Sequence, residues 1–309
     1  MGTPSFAVEP LKRLLDSGYN VVGVVTATDK PAGRGREMKA SEIKQFALKK
    51  SLPVLQPEKL RDEQFVNILK SFNADIFIVV AFRMLPEIVW NMPPLGTVNL
   101  HVSLLPDYRG AAPVNHAVIN GETETGVTTF RISHEIDTGE ILLQKKIEIT
   151  DNETAGELLD RLMVTGSELL LETVQGLKTN SIKSKPQIER ENLKLAPKLS
   201  REFCRIKWTD SVENIRNLIR GLSPYPCAWS EFNNGTETFQ FKIYRASCEK
   251  KNISNLSGKI VSDGKSFLKI ACRDGYLNIE ELQLQGKKNM PVKSFLAGFR
   301  GVEKLKIII

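Results

Sequence analysis

Three residues whose side chains suit acyl transfer lie near one another in this sequence: Asn99, His101 and Asp137. An imidazole exchanges protons near neutral pH, and an amide N–H can donate to a carbonyl oxygen that gains negative charge. A carboxylate can hold an imidazole in one orientation. These groups suit the direct attack of an amine on an acyl carbon, which needs no Ser or Cys nucleophile. The spacing alone also fits a core histidine, a turn-forming asparagine and a strand-end aspartate.

A predicted strand over residues 97–101 positions two of these groups. Asn99 and His101 are two residues apart, so on a strand their side chains share one face. Pro106 and Gly110 follow in a loop that must end the strand. Both side chains therefore lie near the carboxyl end of the strand, where open α/β sheets bind their ligands.

The composition is that of a globular protein. The chain has 309 residues, 41% hydrophobic and 26% charged, which is enough for two domains. The sequence has no apolar run of membrane-span length and no secretory signal, so we expect a cytoplasmic protein without a membrane partner. Three histidines and four cysteines without a Cys-x-x-Cys pair predict no metal site and reduced thiols (Cys204, Cys227, Cys248 and Cys272).

Positive charge is concentrated in the last third of the chain. Residues 201–309 contain 19 Lys or Arg and 11 Asp or Glu, a net charge of +8, whereas residues 1–200 carry −1. A basic segment attached to a nearly neutral one indicates a polyanionic partner such as nucleic acid. A lysine-rich surface with no such partner would give the same charge.

Alternating helical and strand patterns over residues 1–177 predict an α/β fold, a doubly wound Rossmann-like parallel sheet. Short apolar segments rich in β-branched residues, such as 20–26 and 76–80, predict buried strands. Residues 28–39 are predicted as a loop. Amphipathic patterns predict helices over residues 4–16, 40–50, 61–72 and 154–176.

The rest of the chain predicts a linker and a second domain. Residues 178–200 are polar, with Pro186 and Pro197, and predict an extended linker. Over residues 201–309, short strands separated by Asn-Gly and Asp-Gly turns predict a small β-barrel. The oligonucleotide-binding (OB) barrel is the usual basic fold of this kind.

The segment around the candidate residues resembles the folate-dependent formyltransferases. That family carries Asn-x-His, then Ser-Leu-Leu-Pro-x-x-Arg-Gly-Ala-x-Pro, then Asp-x-Gly, which here are residues 99–101, 103–113 and 137–139. The resemblance extends from Gly2 to about Arg300 and includes the Pro-Ala-Gly-Arg-Gly loop of the tRNA-modifying members.

This resemblance implies that a formyl group passes from 10-formyltetrahydrofolate to the amino group of methionyl initiator tRNA, for translation initiation. It implies that Asn99 and His101 stabilise the oxyanion, that Asp137 orients His101, and that no metal takes part. It also implies an OB-like, tRNA-binding domain at residues 201–309 after a catalytic domain at residues 1–177. We expect the protein to be a monomer.

The resemblance also implies two sets of binding residues. The folate is expected to contact the segments 81–85 and 103–106: Ala81, Phe82, Arg83, Met84, Leu85, Ser103, Leu104, Leu105 and Pro106. Arg83 stands where many members have a small residue. The tRNA is expected to contact the basic loop and the basic domain: Lys30, Arg34, Arg36, Arg109, Lys207, Lys242, Lys287 and Lys288.

Three other functions stay open at this point. A formyltransferase acting on a small amine, such as a sugar nucleotide or glycinamide ribotide, would share the three catalytic residues. A catalytically idle RNA-binding protein would share the basic domain. A dinucleotide oxidoreductase would share the sheet, although the glycine fingerprint of that class is missing.

The first residues carry a further expectation. Members of the family begin with a short apolar strand before the Gly-Thr-Pro that here is residues 2–4. Met1 stands where that strand ends, so we expect the first strand of the sheet to be truncated. Because such a strand is normally central, its absence leaves neighbouring edges unpaired and predicts low stability.

Overall fold

The structure is a computed structural model that describes residues 1–32, 37–251, 256–299 and 301–308. The helices are α1 Val8–Asp16, α2 Glu42–Lys49, α3 Glu63–Ser71, α4 Glu87–Trp90, α5 Pro113–Ile119, α6 Ala155–Lys178, α7 Val212–Leu222 and α8 Val292–Gly298, with 3-10 turns at Ser5–Ala7 and Val302–Lys304. Among these described residues, no helix is long and apolar enough to cross a membrane.

The strands are short in the first half of the chain and longer in the second. They are β1 Val24–Val25, β2 Lys30–Ala32, β3 Glu37–Lys39, β4 Val54–Leu55, β5 Phe77–Val79, β6 Thr97–His101, β7 Arg109–Gly110, β8 Glu124–Arg131, β9 Ile141–Glu148, β10 Leu195–Ala196, β11 Ala228–Asn233, β12 Thr238–Lys250, β13 Ile260–Ser262, β14 Leu268–Ala271, β15 Gly275–Leu284, β16 Met290–Pro291 and β17 Lys306–Ile307.

The chain divides into two compact units, each built from several segments. The first unit comprises Met1–Gly110, Glu124–Glu148 and Leu159–Leu195. The second unit comprises Ala111–Thr123, Ile149–Leu158 and Ala196–Ile309. The three predicted catalytic residues all lie in the first unit.

The first unit contains a four-stranded sheet in the order β5-β6-β8-β9. Strands β5 and β6 run parallel, as do β1 and β4 in a separate pair, and helices alternate with them along the chain. The predicted α/β, Rossmann-like fold is therefore confirmed. The sheet also has an antiparallel part, β6-β8-β9. The connection between β8 and β9 is too short for the crossover that a parallel pair requires.

Helix α3 shows how the sequence builds this unit. The Asp62 side chain accepts a hydrogen bond from Phe65 N at 3.0 Å and caps the helix at its start. The buried face of the helix presents Phe65 and Leu69 to a core that includes Phe77 and Val79 of β5. Burial of one such side chain stabilises the fold by roughly 1.5–3 kcal/mol. This packing fixes β5, the neighbour of β6.

A cavity of about 800 Å³, lined mainly by apolar side chains, separates β1 from β5. Met1 is one of the residues that line it. The Met1 amino group donates to Ile78 O at 2.6 Å, Met1 O accepts from Val80 N at 2.9 Å, and Gly2 N donates to Val25 O at 3.0 Å. Two residues of the chain thus link the two strands.

The second unit is built on a seven-stranded antiparallel sheet, ordered β13-β14-β15-β12-β11-β17, with β16 paired to β15. The turn Val302–Lys304, beside β17, packs against β13 at the opposite edge, so the sheet curls into a nearly closed barrel. Trp208, Phe232 and Phe241 are fully buried in its core. The predicted C-terminal barrel is therefore confirmed.

Two local predictions were wrong. Residues 28–39, predicted as a loop, contain the hairpin β2-β3, in which Lys30 pairs with Lys39. These polar, short strands lack the alternation of apolar residues that marks a strand in sequence. Residues 20–26, predicted as one strand, form regular pairing only at Val24–Val25. Residues 20–23 instead line the cavity beside β5.

Candidate active site

Strand β6 places Asn99 and His101 as predicted. The strand lies between β5 and β8, and Asn99 is opposite Val79 on one side and Phe130 on the other. Because the two positions are two residues apart on one strand, both side chains point to the same face. The three predicted catalytic residues come together here, since Asp137 of the β8-β9 connection approaches His101.

The His101 ring is buried and is held by a hydrogen bond at one of its two nitrogens. Its Nε2 lies 2.9 Å from Tyr108 O, and its Nδ1 lies 3.8 Å from Asp137 Oδ2. A carbonyl oxygen only accepts, so Nε2 is the donor and a neutral ring carries no proton on Nδ1. Nδ1 is therefore the nitrogen that takes up a proton, on the side of the carboxylate. That arrangement suits a group that removes a proton from a substrate.

The side-chain oxygen of Asn99 lacks a hydrogen-bond partner. Oδ1 is buried and accepts no bond from any described residue. An unpartnered buried polar atom costs on the order of 1–3 kcal/mol, so native structures keep few of them. Oδ1 can accept from the N–H of an attacking amine. With the amide turned over, Nδ2 can donate to an oxyanion at the same place.

The Asp137 side chain is fixed mainly by the main chain of the loop after β6. Oδ2 accepts from Gly110 N at 2.9 Å. The backbone of Asp137 lies in the left-handed region, with φ of 57°. Two residues later, a Cβ on Gly139 would lie 1.7 Å from Arg131 O, so only glycine fits there. The Asp-x-Gly of the sequence is therefore one tight turn.

Backbone strain gathers around this site. Ala81, Tyr108 and Asp137 have φ values of 46°, 62° and 57°, in the left-handed region that non-glycine residues seldom adopt. Such positions cost about 1–3 kcal/mol each and persist where the surroundings hold them. Their grouping beside the strand ends of β5, β6 and β8 agrees with a functional role for this region.

The predicted folate residues 103–106 form a rigid loop. Ser103 Oγ donates to Asp107 O at 2.7 Å, and Ser103 O accepts from Thr128 Oγ1 at 2.7 Å. Leu105 O accepts from Gln144 Nε2 at 2.9 Å. Ser103 and Leu105 are buried, whereas Leu104 and Pro106 are half-buried. The Ser103 hydroxyl thus holds the loop together rather than facing a base.

The predicted folate residues 81–85 divide into two groups. Ala81, Phe82 and Arg83 line a cavity of about 460 Å³ that Thr3 and Lys30 also border. The Arg83 guanidinium donates to the main-chain oxygens of residues 57 and 58 and lies over the Phe82 ring.

The other two residues of this segment lie elsewhere. Leu85 packs into the core with Val79 and Val89. The side chain of Met84 is exposed. The Phe82–Arg83 wall is therefore the part of the segment that faces a ligand-sized space.

Arg109, predicted to contact tRNA, has partners inside the first unit. Its guanidinium donates from Nε and Nη2 to Gln187 Oε1, at 3.0 and 2.7 Å, and forms an ion pair with Glu189 at 3.0 Å. Only 12% of its side chain is exposed. As placed here, the side chain links the catalytic loop to the predicted linker.

The residue before the β2-β3 hairpin, Asp29, is held by two side chains. Lys44 Nζ lies 2.6 Å from Asp29 Oδ2, and Gln56 Nε2 donates to Asp29 Oδ1 at 2.8 Å. The hydrogen bond from Lys44, then that from Gln56, lowers the pKa of Asp29. Lys30 next to it is exposed. Arg34 and Arg36 lie outside the described residues.

The predicted tRNA residues of the second unit are at its surface, with one exception. Lys207, Lys287 and Lys288 are exposed, the last two beside Gly286 in the turn after β15. Lys242 is half-buried and donates from Nζ to Pro226 O at 3.1 Å. In the part of the chain that the structure describes, no group of three His, Cys, Asp or Glu is placed to hold a metal.

Sequence reasoning missed two residues that shape the site. The Tyr108 carbonyl orients His101. Only the position of Tyr108 within the motif could have indicated this role from the sequence. Gln187 lies about fifty residues after Asp137 and contacts the Asp137 turn through space. A single glutamine in a polar segment carries no pattern that could have indicated this contact.

Comparison with known proteins gives the family. A model described as Formyl transferase matches residues 1–174, and one described as Formyl transferase, C-terminal domain, matches residues 198–300. The chain is 52% identical over 311 residues to the methionyl-tRNA formyltransferase of Bacteroides fragilis, covering 99% of the chain and 96% of that relative. The chain belongs to the methionyl-tRNA formyltransferase family. As a member of that family it is an enzyme of one-carbon transfer that uses a formyl-tetrahydrofolate.

A second sequence relative and a solved structure agree with this assignment. The methionyl-tRNA formyltransferase of Bacteroides thetaiotaomicron is 50% identical, over 97% of this chain and 94% of its own. The fold also resembles an N-formyltransferase from Helicobacter canadensis, solved with folinic acid and dTDP-3-aminofucose. That match has a TM-score of 0.60 and 20% identity, and covers 90% of this chain and 96% of the other. At that identity the likeness concerns the fold alone.

Proposed function

We propose that the chain transfers the formyl group of 10-formyltetrahydrofolate to the α-amino group of methionine esterified to initiator tRNA. The observation that carries this is the unpartnered side-chain oxygen of Asn99, two residues before His101, whose Nδ1 faces Asp137. The relatives at about half identity bear the name of this activity.

The three residues have separate tasks in this reaction. The folate supplies the formyl group and leaves as an amine, because its nitrogen receives the proton that the attacking amine gives up to His101. Asn99 binds the attacking amine through Oδ1 or the developing oxyanion through Nδ2. Binding to the oxyanion stabilises the transition state more than the bound substrate. His101 takes up the amine proton on Nδ1, and Asp137 stabilises the charged ring across 3.8 Å.

We assign the co-substrate to the segment that follows β5 and to the loop that follows β6. The wall formed by Ala81, Phe82 and Arg83 borders a cavity of about 460 Å³. The Phe82 ring gives this cavity an aromatic side, and Lys30, Glu58 and Arg83 add charged groups that can orient a polar ligand. We assign the loop 103–106, which Thr128 and Gln144 hold in a fixed shape, to the same co-substrate.

The tRNA is assigned to the basic surfaces. Lys30 on the hairpin and Lys207, Lys287 and Lys288 in the second unit are exposed cations that suit phosphate contacts. Arg34 and Arg36 belong to the same proposal from sequence. We further propose that the protein acts as a monomer, in the cytoplasm where translation takes place.

The test is formylation of methionyl initiator tRNA with 10-formyltetrahydrofolate, followed by acid gel or mass spectrometry. Formyl-methionyl-tRNA from wild type and a loss in Asn99→Ala support the proposal. Tight tRNA binding without product would point to an idle RNA-binding protein. Formylation of a sugar nucleotide or of glycinamide ribotide, with no reaction on the tRNA, would point to a small amine substrate.

A further inference from the structure

Every hydrogen-bonding position of the Gln187 amide is occupied. Oε1 accepts from Arg109 Nε at 3.0 Å and from Nη2 at 2.7 Å. Nε2 donates to Asp137 O at 2.8 Å and to Gly139 O at 2.8 Å. Since a guanidinium only donates and a carbonyl only accepts, these partners fix which end of the amide is oxygen.

These bonds belong to a closed set of contacts that links Arg109 and Gly110 with the Asp137 turn. The Asp137 carboxylate accepts from Gly110 N. Arg109, the residue before Gly110, donates to Gln187, and Gln187 donates back to the main chain of Asp137. Asp137 is therefore held by its side chain on one side and by its carbonyl on the other.

The segment that carries Gln187 is itself anchored. Two residues earlier, Lys185 pairs with Ile141 through both main-chain bonds, each 2.8 Å long. Two residues later, Glu189 forms its ion pair with Arg109. The glutamine thus projects from a fixed backbone toward the Asp137 turn.

We propose that Gln187 is a positioning residue that holds Asp137 opposite His101, an inference that rests on the proposed function. Asp137 has a left-handed backbone, which its surroundings must maintain. Its Oδ2 is 3.8 Å from His101 Nδ1, so a small retreat would remove the carboxylate from reach. A misplacement of about 1 Å at a reacting group can cost about 100-fold in rate.

Gln187→Glu tests this directly. The carboxylate keeps acceptors for Arg109 but loses both donated bonds to the Asp137 turn. We expect kcat to fall by about 10- to 100-fold, with KM for tRNA and folate changed by less than about threefold. Ile188→Ala, at the exposed neighbouring position, is the matched control and should keep the wild-type kcat. A wild-type kcat in Gln187→Glu would overturn the proposal.

A second readout does not depend on activity. Gly110 N–H donates to the Asp137 carboxylate, so its hydrogen exchange, measured by NMR, reports the position of that side chain. We expect faster exchange in Gln187→Glu than in Ile188→Ala. Unchanged exchange would refute the proposal even if the wild type proved inactive on methionyl-tRNA, which would refute only the proposed function.

A double variant separates action through Asp137 from a general loss of structure. In the Asp137→Ala background, Gln187→Glu should reduce the residual kcat by less than about twofold, because the group that it positions is already absent. Independent losses that multiply would show that Gln187 acts by another route.

Discussion

His101 and Asp137 face each other across 3.8 Å, from Nδ1 to Oδ2, and each is oriented by a third group rather than by the other. Tyr108 O holds the ring, and Gly110 N holds the carboxylate. Tyr108 lies in the loop after β6, and Gly110 lies in β7, which follows that loop directly. The geometry of this pair therefore depends on the loop, and the ring is free to gain a proton without a change of orientation.

Replacing Asn99 should separate activity from stability. In Asn99→Ala, we expect kcat to fall on the order of 100-fold or more, the usual cost of losing one oxyanion donor. The melting temperature should not fall, because the buried Oδ1 has no partner among the described residues to lose. Steady-state formylation and thermal unfolding measure the two effects. Near-wild-type activity in this variant or in His101→Ala would contradict the assigned roles.

Gly139→Ala should inactivate the enzyme by moving the Asp137 turn. The added Cβ would lie 1.7 Å from Arg131 O, so the backbone must shift by more than 1 Å. We expect at least about a 100-fold loss of kcat. Gly298→Ala, where the Cβ would meet nothing within 4 Å, is the control. Equal activities for the two variants would show that the turn tolerates displacement.

Removing charge from the turn after β15 should weaken tRNA binding without changing chemistry. For the double variant Lys287→Ala/Lys288→Ala, we expect the slope of log Kd against log salt to fall by about two, roughly one for each phosphate contact. The rate at saturating tRNA should not change. Lys12→Ala, an exposed lysine in α1, is the comparison. An unaltered slope would remove these lysines from the tRNA interface.

The cavity between β1 and β5 predicts that an apolar strand added before Met1 stabilises the first unit. Such a segment would fill part of about 800 Å³ and pair with both strands, as Met1 and Gly2 already do. We expect a melting temperature several degrees higher in the extended chain, since filling a cavity recovers lost contacts. A polar extension of the same length is the control. Equal melting temperatures for all three chains would exclude this effect.

Local sequence determined much of the site. The strand β6 has the predicted bounds because Gly96 precedes it and the loop that contains Pro106 begins directly after His101. The meeting of His101 with Asp137 also followed from the motif that carries both. The antiparallel part of the sheet and the β2-β3 hairpin did not, because strand direction and short polar pairing depend on partners distant in the chain.

Long-range contacts account for what the sequence could not reveal. Arg109 was expected to contact tRNA, and that role stays a prediction, while the structure gives its guanidinium partners near residue 187. The orientation of His101 depends on a carbonyl oxygen, which every residue has. Main-chain groups and single amides leave no compositional trace, so only three-dimensional placement identifies them.

The pairing of Lys185 with Ile141 alters how the 178–200 segment should be regarded. It was predicted as an extended linker, a kind of segment whose length and composition can vary widely. Part of this segment is hydrogen-bonded to the start of β9 and to the Asp137 turn. An insertion or a proteolytic cut near residue 187 would therefore disturb the catalytic residues. Changes to this polar segment are therefore limited by the geometry of the catalytic residues, both in evolution and in protein engineering.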